Sequence, residues 1–214
     1  MSREQNVLEY YLVCNTLKDE IRTGWKDWNV RRERVESVAE HVFSVQMLAI
    51  AMHSEYDYKH INLKIVLFML AIHELGEAII GDLTQFQITR AEKEKIEHEA
   101  VHKILKNLLN GSQIEELFYE FDARETEEAK FAYQCDKLEC DLQCKLYDQE
   151  GCVDLDNQLE NNSYSNAYVQ ELLLAGCSWS EMWMKFGQKM YPYDENFRAV
   201  SEYAMKHGIY SNEE

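Results

Sequence analysis

The sequence predicts an all-α protein, and two observations predict it. Only one proline, Pro192, and eight glycines punctuate 214 residues, too few to cut the chain into the strands and turns of a β fold. Apolar residues recur at three- and four-residue intervals through most segments, which is the period of a helix face. A composition 46% hydrophobic and 29% charged is that of an ordinary soluble globular protein with enough length to bury a sizeable core. With no internal repeat and no strong linker, residues 1–214 read as a single domain.

Charge and cysteine usage exclude several functions. A net charge of −17 repels polyanions, so no nucleic-acid polymer is expected as a partner, whereas a small anion remains acceptable wherever cations gather locally. The longest apolar run, 65–72, is far too short to cross a bilayer, and the N-terminus carries charges where a signal peptide needs an apolar stretch. Six cysteines (Cys14, Cys135, Cys140, Cys144, Cys152, Cys177) include no Cys-x-x-Cys pair. Free thiols in a reducing, cytoplasmic setting are the expectation.

The elements follow in order. Residues 4–21 place Val7, Leu8, Tyr11, Leu12, Leu17 and Ile21 on one helical stripe. The next stretch, 22–34, loses that period and gathers Arg22, Arg31, Arg32, Arg34, Lys26, Trp25 and Trp28. It reads either as a connecting loop whose arginines pair with surface carboxylates or as a phosphate clamp, since a guanidinium fork matches phosphate oxygens. Ser37 with Glu40 three residues on has capping-box spacing and opens a helix to about residue 54, with His41 on or near its apolar face. Residues 56–62 form a polar turn.

Residues 63–80 read as one buried helix carrying His73, Glu74 and Glu77, ended by Gly81, with Asp82 just beyond. An imidazole and two carboxylates buried together need compensation, from cations or from a metal. Thr89 or Ala91 opens a charged helix reaching Leu109, stopped by Asn110-Gly111. Residues 113–121 form a short helix and 125–148 a long one striped by Phe131, Leu138, Leu142 and Leu146. The Asp- and Asn-rich segment 151–165 reads as a mobile loop. Helices are expected at 164–175, 178–190 and 195–207.

Two patterns bear on metals. His41, His73-Glu74 and Asp136 sit on three predicted helices, and Asp136 interrupts an apolar stripe where aspartate is intrinsically disfavoured. A divalent ion held by imidazoles and carboxylates rationalises these placements together. His98-Glu99-Ala100-Val101-His102 matches the zinc motif His-Glu-x-x-His, but it lies in a solvated charged stretch and reads as a polar helix edge. The cysteines around 135–144 read as packing residues.

With these residues assembled, the chain resembles the HD-domain metal-dependent phosphohydrolases, whose signature is a histidine, a His-Asp pair and a later aspartate. Arg22-Thr23-Gly24-Trp25, Glu36-Ser37-Val38-Ala39-Glu40-His41 and His73-Glu74-Leu75-Gly76-Glu77 with Gly81-Asp82 are similar to the 5'-deoxynucleotidase subgroup over residues of about 5–150. The resemblance implies an HD-domain-like bundle with additional C-terminal helices at 164–207 packed on it. It implies phosphate removal from (deoxy)nucleoside 5'-monophosphates and one divalent ion (Co, Mn, Zn, Fe, Ni and Mg are not distinguished) on His41, His73, Glu74 and Asp136. It further implies Glu77 and Asp82 in catalysis, Arg22, Trp25, Asp82 and Thr84 on the substrate, and a homodimer. One departure stands out: Glu74 replaces the family aspartate and adds a methylene. Alternatives are an HD hydrolase of another nucleotide (triphosphate, cyclic or alarmone-type) or a weakened module that binds metal or nucleotide without turnover.

Overall fold

Side-chain caps fix where most helices begin. In the computed structural model, which describes residues 2–84, 87–158 and 160–209, Ser2 caps α1 (Arg3–Thr16), Ser37 caps α3 (Val38–Glu55) and Asn62 caps α4 (Leu63–Ile72). Each accepts a hydrogen bond from an amide of the first turn, satisfying a donor that the helix itself leaves without a partner. Ser37 and Glu40 form the full capping box expected from their spacing. Thr89 with Glu92 does the same for α6 (Arg90–Leu105), and Ser178 with Glu181 for α10 (Trp179–Met190). The remaining helices are α2 (Thr23–Asp27), α5 (Glu77–Ile80), α7 (Gly111–Ala123), α8 (Glu127–Gln149), α9 (Ala167–Leu174) and α11 (Glu195–Lys206). No strand occurs among the described residues beyond an isolated bridge between Ile21 and Ser37.

The chain forms two compact units, Met1–Thr23 with Glu36–Tyr133, and Gly24–Val35 with Gln134–Glu214. In the first, α3 packs on α4, α4 on α7, and α6 on α5 and α7, while α1 lies against α5 and α6. Ile72, Leu75, Val101, Leu105 and Phe118 form a core there. In the second, α10 packs on α9 and α11, over an aromatic core of Trp25, Trp28, Tyr147 and Trp179 with Cys144, Val169 and Met182. No helix of the described residues is long and apolar enough to cross a membrane.

Three expected boundaries differ. The first helix stops at Thr16, where the Thr16 hydroxyl turns back to the Val13 carbonyl, and Ile21 leaves the stripe to bridge Ser37. The apolar run 63–80 is not one helix: after Ile72 the amides of Leu75, Glu77, Ala78 and Ile79 bond carbonyls three residues back instead of four, a tighter turn than the α-helix. At that turn Gly76 lies against α6, where an added Cβ would sit 3.3 Å from the Glu97 backbone. The charged helix ends at Leu105, short of the expected Leu109, and Asn110-Gly111 opens α7 instead of stopping α6. The 151–165 segment has no helix, yet it is tied down: Gln158 donates to the Trp28 carbonyl at 3.0 Å and the Arg31 amide to the Cys152 carbonyl at 2.8 Å.

A Cβ at position 111 would fall 2.1 Å from the Leu105 carbonyl oxygen, a clash only backbone movement relieves. Gly111→Ala is expected to lower unfolding free energy by about 1–3 kcal/mol, the usual range for overpacking, read as a lower urea midpoint at unchanged slope.

Candidate metal centre

Local geometry brings the histidines together. His41 lies one residue past the capping box of α3 and is fully buried; His73 forms the C-cap of α4 and is 5% exposed. The His73 Nδ1 is 2.8 Å from the Leu70 carbonyl, which puts the proton on Nδ1 and leaves the Nε2 lone pair facing inward. That Nε2 meets the Nε2 of His41 at 3.4 Å, and Glu74 Oε1 is 3.7 Å from each nitrogen. Ligands about 2.0–2.2 Å from one ion lie roughly 3 to 4 Å from one another, so the two nitrogens and the oxygen fit a divalent metal in spacing and chemistry. Asp136 lies on α8 in the second unit, 4% exposed, with Lys137 Nζ 2.8 Å from its Oδ2.

Cations border this group. The Arg22 Nη1 donates to Glu74 Oε1 at 2.8 Å, the same oxygen that faces both imidazoles. Burial alone would raise the Glu74 carboxyl, but His73, Arg22, Lys93 and His41 outweigh it and hold the group well below the usual carboxylate range. Asp82 accepts from the Thr23 amide at 2.7 Å, its carbonyl accepts from the Thr23 hydroxyl at 2.6 Å, and its Oδ2 is 3.9 Å from Arg22 Nε. Asp82 thus caps the start of α2 and fixes the backbone that carries Arg22. Of the arginines in 22–34, Arg31 and Arg32 pair with Asp154 and Glu150, as a connecting loop would have it, while Arg22 alone of these three reaches the buried carboxylates.

Glu77 is buried beside them, and its Oε1 is 3.2 Å from Lys93 Nζ. Burial, with the carboxylates of Glu74 and Asp82, pushes Glu77 well above the ordinary range despite Lys93 and Arg22. Lys93 also lies 3.5 Å from Glu97. Neither was singled out by the sequence, because 92–97 has the look of a solvated run and Lys93 finds Glu77 only across the α5–α6 packing. Thr84 bonds locally to Gln87 through its amide at 2.9 Å. Trp25, expected against the sugar or base, packs its ring among Tyr147, Trp179 and Trp183 with 2% of its surface exposed.

The His-Glu-x-x-His match makes no joint site. His98 pairs with Asp122 at 2.8 Å and His102 with Glu115 at 3.1 Å, the behaviour of a polar helix edge. None of the six cysteines forms a disulfide.

Known proteins place the chain in a family. The HD domain family model matches residues 14–173. The chain belongs to the HD domain family. It is 32% identical over 163 residues to the 5'-deoxynucleotidase HDDC2 of Dictyostelium discoideum, covering 73% of this chain and 82% of that protein. The corresponding protein of Bos taurus is 31% identical over 157 residues, covering 72% and 71%. A crystal structure of a Pyrococcus horikoshii protein superposes with a TM-score of 0.65 at 23% identity, covering 93% of this chain and 98% of the other, a likeness of fold. The resemblance read from the motif segments is borne out at the level of the HD domain, and all the candidate residues from Arg22 to Asp136 fall inside the match.

Burial pushes Glu97 up from 4.5 to about 7, Glu74 and Asp122 adding to the effect and Lys93 opposing it. A raised folded-state pKa means the fold holds this proton more tightly than the unfolded chain. Its contribution to stability is therefore full below the unfolded value and is lost as pH rises through about 7. In metal-free protein, the urea midpoint is expected to fall less between pH 4.5 and 7.5 in Glu97→Gln than in the parent; equal falls would contradict the assignment.

Proposed function

We propose that this HD domain protein is a divalent-metal-dependent phosphohydrolase that releases phosphate from deoxynucleoside 5'-monophosphates. The observation that carries the reading is the convergence of His41 Nε2, His73 Nε2 and Glu74 Oε1 beside the Arg22 guanidinium, in a chain similar to proteins named 5'-deoxynucleotidase. His41, His73, Glu74 and Asp136 are the proposed ligands of one ion, a donor set that suits several divalent metals. Such an ion, when bound, supplies Lewis-acid charge to the phosphoryl group and lowers the pKa of a bound water.

The chain's own residues do the rest. Arg22 takes phosphate oxygens through its planar fork. Glu77 accepts a proton from the attacking water or returns one to the 5' oxygen as the P–O bond breaks, giving nucleoside and phosphate. Asp82 holds the Arg22–Thr23 backbone and, with Thr84, is proposed to meet the sugar. Trp25, proposed from the resemblance to touch sugar or base, anchors α2 through its buried ring. One HD-type domain is proposed for the whole chain, a reading the family match supports over 14–173, and cysteines without disulfides support a reducing, cytoplasmic setting. A homodimer is proposed on the C-terminal helices, where Leu174, Met190 and Tyr203 are exposed. A nucleic-acid polymer is not proposed as a partner, given the charge of −17.

One observation favours a second reading, a module weakened in turnover: Arg22 and the imidazoles share a single Glu74 oxygen, a reach the extra methylene, about 1.5 Å, allows.

Purified protein with cobalt or manganese is expected to release phosphate from deoxynucleoside monophosphates in preference to triphosphates or cyclic nucleotides. His73→Ala should lower kcat/KM at least about a hundredfold, beyond losses typical of residues behind the ligands; an unchanged rate refutes the reading. Glu74→Asp separates the two readings. A rise in kcat shows that the longer side chain restrains turnover, whereas nucleotide binding in calorimetry with no phosphate from either protein favours the module.

A further inference from the structure

The proposed role of Glu77 needs a carboxylate held in one orientation, and its own helix supplies little to hold it. α5 is four residues long and its N-cap, Gly76, has no side chain to offer. The restraint comes from α6. Lys93 reaches Glu77 Oε1 at 3.2 Å from one turn inside that helix, and the same Nζ lies 3.5 Å from Glu97 Oε1 one turn further on. The Glu77 side chain is 1% exposed, and its Oε2 has no hydrogen-bond partner among the described residues. One oxygen is thus clamped and the other is left open in a buried setting.

The spacing that makes this contact is built into the backbone. Position 76 has no Cβ, and one placed there would lie 3.3 Å from the Cα, Cγ and carbonyl oxygen of Glu97. α6 therefore approaches the 73–76 turn closely at Glu97, which sets the height at which Lys93, one turn earlier, meets Glu77. Glu97 in turn steadies the lysine by an i,i+4 pair whose partners are 25% and 12% exposed, drier than the exposed pairs that contribute little.

From this geometry we propose that Lys93 is a positioning residue for the reaction: it fixes Glu77 through Oε1 so that Oε2 faces the reacting water or leaving oxygen, with Glu97 steadying the lysine. The assignment rests on the acid–base role of Glu77. A merely structural lysine at this place would affect stability and metal binding as much as turnover. A positioning lysine acts chiefly on kcat: the contacts among His41, His73 and Glu74 are made without it, and of the charges that keep Glu74 ionised those of His73 and Arg22 come ahead of that of Lys93. The charge also matters, since a neutral side chain of similar length fills the same space and donates nothing.

The test uses Lys93→Met and Lys93→Arg in the full chain, with kcat and KM on a deoxynucleoside monophosphate, cobalt affinity by calorimetry of the metal alone, and a crystal structure of Lys93→Met. General acid–base catalysis is worth about 10²–10⁴-fold, and losing its alignment should remove part of that. In Lys93→Met the expected result is a kcat lower by about thirtyfold, with KM and cobalt affinity within about twofold of the parent and the Glu77 carboxylate turned away from its present position. Lys93→Arg, which keeps the charge and the donor, should recover most of the lost rate. An unchanged kcat in Lys93→Met overturns the proposal, and so does a joint loss of cobalt affinity and stability that arginine does not restore. If Lys93→Met is unaffected while His73→Ala is inactive, the nucleotidase reading stands and only the lysine assignment falls. If the parent releases no phosphate with any divalent ion, both fall.

Discussion

Two imidazole nitrogens meeting at 3.4 Å inside a helical protein set the terms for everything around them. Facing nitrogens repel unless a proton or a cation lies between them, and His73 already commits its Nδ1 proton to the Leu70 carbonyl. Burying such a pair with a carboxylate is costly unless the charges are compensated. The fold answers with cations from two directions: Arg22 enters beside α2 and Lys93 from α6. A chain with 39 acidic and 22 basic residues keeps two of its cations against these carboxylates, where they offset the cost of burying like charges together.

Placing these groups depends on how α4 ends. A continuous helix through residue 80 would keep His73 and Glu77 on one face at ideal spacing. The break after Ile72 makes His73 a cap residue, aims Glu74 at both histidines, and tucks Glu77 against α6. The turn's amides remain bonded to carbonyls three residues back, so the backbone is satisfied while the side chains are re-aimed. Gly81, with φ of 76°, then permits the reversal that carries Asp82 back to the Thr23 amide, a conformation glycine adopts without penalty. Arg22, Glu74, Glu77 and Asp82 are therefore held by one short stretch of backbone and by α6 pressed against it.

How much of this was legible depends on range. The capping box at Ser37 announces a helix start because donor and acceptor lie three residues apart, and the one at Thr89, which has the same spacing, settles a start that composition left between Thr89 and Ala91. His41, His73-Glu74 and Asp136 stood out because each is a polar residue in an apolar period, a conflict that local sequence displays. Arg22 stood out as a cation in an acidic chain. The break at 73–76 was hidden, since the apolar run through Ile80 reads as helix and Gly76 matters only for its contact with Glu97. Lys93 was hidden in a stretch with solvated composition, its partner sixteen residues back. Trp25 drew attention as an aromatic beside the arginines, and its ring neighbours Tyr147, Trp179 and Trp183 lie more than a hundred residues on, where no local pattern could announce them. Asn110-Gly111 signals a stop and a start equally well; α6 has already ended at Leu105, and the pair opens α7.

The central claim, that the two imidazoles and Glu74 face a common ion, is tested most directly by anomalous diffraction from crystals of the cobalt-loaded protein. The account predicts one dominant peak within about 2.0–2.2 Å of Nε2 of both His41 and His73 and of a Glu74 oxygen, with Arg22 displaced from that oxygen. A protein that binds cobalt elsewhere, with the 3.4 Å contact between the histidines undisturbed, would contradict it.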